Sequence, residues 1–344
     1  MNSPSTLRQR LRAHSWLIIL VGMVAMAPIG WSGFWYVKSR AAAAALAAWM
    51  EKEAQAGRQW SCPSQKITGF PYTVVISCEN AQFQGEAFGK QLTGTLHGLR
   101  ATSPLLRNDN LLVKLEPPFA ATSSSGDLDI NAQWSELLVE IEGTPGALGQ
   151  IAFMGSQLRL QGTAAGSVVS GTAIGDILGS IARSPARRDQ AFDVTFSFHQ
   201  GLFPALNSFL GTDSPIATQF EATIEPFVPS GPTLAEALEK WRAASGRLDV
   251  TFASLTGGPV AFDARGGLGI DGEHRVEGKL DAHFAGLAKA LRRLDVDPDL
   301  LSAGQIISGL LGDSSEGLKL PVTFADGFLR IGPVRTGIAI PPLY

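Results

Sequence analysis

The residues whose types and spacing bear on chemistry in this 344-residue chain are few: five His, two Cys, one glycine-rich run and a handful of Ser and Asp. Gly267-Leu268-Gly269-Ile270-Asp271-Gly272 has the GxGxxG spacing that brings backbone N–H groups against a pyrophosphate at a helix start. Glu273-His274-Arg275-Val276-Glu277-Gly278 follows it, a turn and a strand, so the run reads as a β-hairpin. Gly85 and Gly89-Lys90 lack the spacing and the Ser/Thr of a phosphate loop. Gly312-Asp313-Ser314 has the letters of a GDS esterase motif but follows a helix in a Gly/Ser loop, and the GxSxG elbow does not occur. His14 precedes the apolar segment, and His97, His199, His274 and His283 have neither HxH nor HxxxH spacing, so no metal centre is expected. His274 and His283 fall on adjacent predicted strands as exposed polar residues. Asp295 and Asp297 sit beside a proline turn, where solvated charge is the ordinary reading. No set of these residues makes a nucleophile with a base, so the chain is expected to be no enzyme and to need no cofactor.

The two cysteines are the exception. Cys62 and Cys78 enclose 15 residues, and in an oxidising compartment such a pair bridges. Tyr72, Val74, Ile76 and Cys78 alternate, which puts Cys78 on the apolar face of a predicted strand within reach of the preceding loop. Closing a loop of this size is worth about 3 kcal/mol.

The compartment follows from the amino terminus. Residues 16–37 are 22 residues without a charge, and about 20 apolar residues cross a bilayer as a helix. Arg8, Arg10 and Arg12 precede them with no acidic residue. The positive-inside rule therefore keeps residues 1–15 in the cytoplasm and exports the rest. Trp31, Trp35 and Tyr36 suit the far interface, and Pro28 is expected to kink the helix. A cleaved signal peptide with an Ala25-Met26-Ala27 site is the alternative, but the apolar run continues ten residues past that site and Pro28 would follow the cut. The inner membrane is thus the expected location, with the body in the periplasm. Beyond the anchor 25 basic and 31 acidic residues remain, a net charge of −6, which gives no basis for binding nucleic acid. Residues 38–57 are rich in Ala and read as a helical stalk.

Residues 58–344 form the body. Apolar residues make up 45% of the chain and charged ones 17%, with 38 Gly and 20 Pro; this excludes disorder and coiled coil and demands frequent turns. The dominant period is two. Phe192, Val194, Phe196 and Phe198 share one face of a strand; so do Phe220, Ala222 and Ile224; Leu248, Val250 and Phe252; and Val276, Leu280 and Phe284. One wet and one dry face favour antiparallel pairing. At Asp326-Gly327 the flanks pair Phe324 with Leu329 and Val322 with Ile331, a two-residue hairpin. The fold class is therefore mainly β (α+β), an antiparallel twisted sheet with a few short helices. Thr233 and Glu236 make a capping box for a helix carrying Leu234, Ala237, Leu238 and Trp241 and ending at Gly246. Further helices are expected at 287–294 and around 300–311, with shorter pieces at 204–210 and 175–183. The turn-rich runs 123–127 and 184–190 are the best breaks, and the second would subdivide the body.

Three segments carry a resemblance. Residues 58–78, RQWSCPSQKITGFPYTVVISC, contain W-x-C-P, then Gly69-Phe70-Pro71 and an aromatic, then the second Cys; LPVTFADGFLRIGPV and the terminal PPL close the chain. With the anchor and the Ala-rich stretch, the chain resembles the bacterial envelope family catalogued as domain of unknown function 2125, and is more distantly similar to AsmA-like envelope proteins. The second likeness implies a role in lipid transport or envelope homeostasis, although the chain is too short for a long lipid-conducting groove. Gly69 allows a bend and Pro71 holds Phe70 extended, so this motif reads as structural. The sum is a membrane-anchored binding module for lipid or another apolar envelope molecule, with an envelope interaction protein that recruits partners as the alternative. Eighteen Phe, largely at alternating positions, suit either a sandwich core or a sheet that holds an acyl chain.

Overall fold

In the computed structural model, residues 5–87, 90–107, 109–144, 147–164, 166–185, 190–226, 233–286, 318–332 and 334–344 are described, with side chains from residue 20 onward. Helix α1 (Ser5–Gln55) is continuous. Its run of apolar residues and alanines holds one proline, Pro28, and Gly57, in the left-handed region, ends the turn that follows. From Leu20 it presents the one described helix long and apolar enough to cross a bilayer, with none of that stretch buried in protein. Its alanine-rich end does not stand free. Trp49 packs on Trp60 (ring centroids 5.6 Å apart), Trp60 on Phe83 (4.7 Å), and Arg58 folds back onto Glu53 at 2.6 Å.

The rest is one antiparallel sheet. Its strands are β1 (Gln59–Ser61), β2 (Lys66–Thr68), β3 (Thr73–Ala87), β4 (Lys90–Pro104), β5 (Asn110–Ser123), β6 (Leu128–Gln133), β7 (Glu136–Thr144), β8 (Ala147–Ala164) and β9 (Ser167–Arg183). They continue as β10 (Phe192–Leu202), β11 (Ile216–Glu225), β12 (Arg247–Gly257), β13 (Val260–Ile270), β14 (Val276–Ala285), β15 (Leu318–Ala325), β16 (Phe328–Ile331) and β17 (Val334–Ala339). Strands β1 and β2 both pair with β3, and from β3 the chain pairs with its next neighbour through to β17. Strands β6 and β7 share one position between β5 and β8. The interruption at Trp134 is held by its indole N–H donating to Leu115 O at 2.9 Å. The 184–190 break joins β9 to β10, which pair along their length.

Two helices interrupt this order. Helix α2 (Pro204–Leu210) links β10 to β11 and packs Leu210 with Ile216 and Val260. Helix α3 (Leu234–Ala243) links β11 to β12; the Thr233 hydroxyl accepts from Glu236 N at 3.2 Å, as a capping residue should. Residues 175–183 are strand rather than helix. Ile174, Ile177, Leu178 and Ile181 recur at three- and four-residue steps that match a helix, but β9 is hydrogen-bonded on both sides, and pairing decides between the two periods. The helices expected at 287–294 and 300–311, the Gly312-Asp313-Ser314 run, and Asp295 and Asp297 lie outside the described residues.

Opposed residues of an antiparallel ladder share a face, so the register sorts the sheet into two sides. The alternations in β10, β11 and β14 hold as read. In β12 they do not: Phe220 opposes Ala253, Glu221 opposes Phe252 and Ala222 opposes Val250, so a bulge at Thr251 turns Phe252 to the other side. There it lies under the Arg265 guanidinium, 6.0 Å from the ring centroid.

Candidate apolar binding face

One side of the sheet is apolar across nearly every strand. Ile76, Ala101, Val113, Val139 and Phe153 stand opposite one another in sequence from β3 to β8. The row continues through Gly179 and Phe196 to Phe220, then Ala253, Ala264, Ala282 and Leu320. A second row one pleat along repeats the pattern: Ile141, Ile151, Ile181, Val194, Ala222 and Val250, then Leu280, Val322 and Ile331.

The two ends of this face differ. Over β11–β16 the small side chains Ala222, Ala264 and Ala282 are buried beneath Phe220, Phe262, Phe284, Leu268 and Phe324, and the face closes on itself. Over β5–β10 the larger Val113, Val139, Ile151, Phe153, Ile181 and Phe196 are only half-buried. All the described strands belong to one hydrogen-bonded sheet, so among the described residues no separate second sheet lies over them. Equally large side chains on the opposite side, Leu112, Met154 and Leu178, are exposed. In a single layer that asymmetry makes the apolar side the concave one. Right-handed twist and bulges in β5, β9, β10 and β12 supply the bend.

At Gly179 a Cβ would fall 2.2 Å from the Phe153 ring; without one, Phe153 and Phe196 close to 6.3 Å over the strand between them. Phe198 and Phe203 extend the aromatic run toward α2, at 6.0 and 5.4 Å.

Apart from Phe252, the opposite side is polar with one exception. The His283 ring meets Asp263 at 3.0 Å beside Arg265, Asp281 and Lys319, around an open hollow of about 470 Å³. His274 is in the β13–β14 turn rather than on a strand, stacked on Tyr344 at 4.5 Å. His97 and His199 are exposed and apart. No group of three His, Cys, Asp or Glu among the described residues is placed to hold a metal. Gly267 and Gly269 lie in β13 and Gly272 in the turn after it, a hairpin. The exception is an apolar patch in which Leu138, Met154 and Leu178 form one row, with Leu112 beside them, next to a second hollow of about 310 Å³. The sequence signal for it is consecutive apolar pairs, Leu111-Leu112, Leu137-Leu138, Phe153-Met154 and Ile177-Leu178, which break the alternation on four strands.

Cys62 and Cys78 form a disulfide that ties the β1–β2 loop to the apolar side of β3. Gly69 has a φ of +102°, and a Cβ there would meet Thr73 at 2.7 Å; Phe70 and Pro71 follow in the turn into β3. Asp326 and Gly327 both have positive φ, 54° and 73°, and make the two-residue turn between β15 and β16, with Phe324 opposite Leu329 and Val322 opposite Ile331.

The chain matches, over residues 35–339, the family described as an uncharacterized protein conserved in bacteria (DUF2125). It belongs to that family. No curated protein and no solved structure matches it. For this DUF2125 chain the matched span begins at Trp35 and contains the disulfide, the Gly69-Phe70-Pro71 turn and every strand through β17.

Two contacts of the DUF2125 body were not legible beforehand. Trp31 and Trp35 donate from their indole N–H groups to Pro71 O at 2.9 Å and Thr73 O at 2.7 Å. At the other end Tyr344 donates to Glu239 at 2.7 Å, and Arg242 clasps the same carboxylate at 2.6 and 2.8 Å. The bond from Arg242, joined by that from Tyr344, lowers the Glu239 carboxyl to about 2.

Proposed function

We propose that this protein is a non-enzymatic binding module, held in the inner membrane by α1 with its body in the periplasm, whose concave sheet face holds a lipid acyl chain or another elongated apolar molecule. The observation that carries the reading is the half-buried apolar row from Val113 to Phe196, over which no separate sheet lies among the described residues. Removing such a face from water is worth about 25 cal/mol per Å², and an acyl chain is long and narrow enough to follow it. The apolar helix beside the body supports the same reading. The test is to place a photoreactive benzoylphenylalanine at Phe196 in the full chain in cells and weigh the product. A lipid-sized adduct there, and none at the exposed face, is expected. The absence of any lipid adduct at Phe153, Phe196 and Phe220 would remove the basis of the proposal.

The exposed patch of Leu112, Leu138, Met154 and Leu178 favours a second reading, an envelope interaction protein that recruits a partner through the convex side. The same crosslinker at Leu178 then yields a protein adduct, while the concave positions yield nothing.

A further inference from the structure

The turn Gly69–Tyr72 and the neighbouring turn at Leu105–Leu106 form the end of the sheet that meets α1. Leu105 N donates to Tyr72 O at 2.9 Å, so the two turns move together. Their height along the helix is fixed by the bonds from Trp31 and Trp35 to Pro71 and Thr73, and by Phe70, which meets the Trp35 ring edge-on at 5.8 Å. Lys38 is the first charge after the uncharged run. From Trp31 to Lys38 the helix rises about 10 Å. The two turns therefore lie beside the last stretch of uncharged helix, not beyond it.

The side chains they carry at that level are apolar and pack on little. Phe70 is 54% exposed, Tyr72 76% and Leu106 75%. Three large apolar groups at one sheet end are unfavourable in water, whereas aromatic residues gain at the boundary between headgroups and acyl chains. Trp31 and Trp35 on the helix complete an aromatic cluster of the kind found there, and Lys38 and Arg40 follow directly, where a helix leaving a bilayer meets the phosphates.

We infer that the Gly69–Tyr72 and Leu105–Leu106 turns insert into the interfacial layer of the leaflet from which α1 emerges, so that the strand ends of β3–β5 open into lipid rather than water. The concave face begins at Val74 and Ile76, directly after the inserted turn, and an apolar molecule reaches it from the leaflet without crossing water. The inference rests on α1 crossing the membrane. It does not require that the sheet hold a ligand.

The disulfide occupies both native cysteines, so Tyr72→Cys, Leu106→Cys, Val24→Cys and Val168→Cys each offer one thiol for a polarity-sensitive fluorophore. Each full-length variant is placed in phosphatidylethanolamine and phosphatidylglycerol vesicles, with and without lipids brominated near the top of the acyl chain. Val24, in α1, reports whether the helix is in the bilayer; Val168, 80% exposed at the far end of β9, reports water. Labels at 72 and 106 are expected to shift to the blue and to be quenched several-fold more than the label at 168. Labels at 72 and 106 that match 168, while 24 is shielded, overturn the insertion and leave the anchor standing. Unshielded emission at 24 as well removes both. Tyr72 and Leu106 are exposed side chains, so the two variants test the same point independently if one folds poorly.

Discussion

The disulfide and one glycine make the most direct tests at the scale of single residues. Cys62→Ala opens a loop whose closure is worth about 3 kcal/mol and leaves Cys78, buried on the concave face, as a free thiol. Chemical denaturation of the variant is expected to show a loss near that size, and an unchanged midpoint would mean the bridge holds nothing the fold does not already hold. Gly327 has a φ of +73°, and a Cβ there would come 2.6 Å from the Arg275 guanidinium. Gly327→Val is therefore expected to cost ~1–2 kcal/mol or more for the left-handed conformation alone, read as a lowered melting temperature. Both positions were legible from sequence, because a paired-cysteine spacing and an Asp-Gly between alternating strands are local signals.

At the scale of elements, α3 holds the carboxyl terminus through one charge. Glu239 receives Arg242 and Tyr344, and His274 stacks on the Tyr344 ring while its carbonyl accepts from Leu343 N at 2.8 Å. The Glu239 carboxyl titrates at about 2 in the folded chain against an ordinary 4.5. A carboxyl lowered by folding adds stability above its unfolded value and loses it as pH falls through the folded one. The melting temperature of Glu239→Gln is thus expected to lie below wild type at neutral pH, with the gap closing as pH falls from about 4.5 toward 2. A gap independent of pH would place its cause in shape rather than charge.

Strand β9 offers the matching test of the binding face. Gly179→Leu fills the space over which Phe153 and Phe196 approach each other. Overpacking of this kind costs about 1–3 kcal/mol, and lipid capture at Phe220 is expected to fall while the far-ultraviolet spectrum stays that of a sheet. Undiminished capture would place the ligand elsewhere. The Gly175–Arg183 segment shows why such a site was not visible from sequence: its apolar residues fit a helix and a strand equally, and only pairing with β8 and β10 set their faces.

At the scale of the whole molecule, direction and attachment matter most. Replacing Arg8, Arg10 and Arg12 with Glu removes the positive flank of α1 and is expected to impair or invert insertion, read by protease access to the body in spheroplasts. An exported body in that variant would overturn the single-pass topology. The sheet is bonded to the helix that carries it, at Pro71 and Thr73 through Trp31 and Trp35, and farther along α1 through Trp49, Trp60 and Phe83. The body is therefore held upright against α1 rather than tethered by a loose linker.

The amino-acid sequence determined what depends on neighbours along the chain. The uncharged run, the period of two in β10, β11 and β14, the capping box at Thr233 and the Asp326-Gly327 turn are each read within one continuous stretch of chain and needed no distant partner. It also carried the family, through W-x-C-P, Gly69-Phe70-Pro71 and the closing hairpin. Tertiary structure decided what depends on register. A bulge at Thr251 moved Phe252 from one side of the sheet to the other, a change that alternation read from one strand misses because the extra residue shows only against its partners. Whether the apolar side met a second sheet or stayed open was equally hidden, since Val139, Phe153 and Phe196 give one pattern under either cover. Their half-buried place on the concave face is set by which strands pair and by how far the ladder bends.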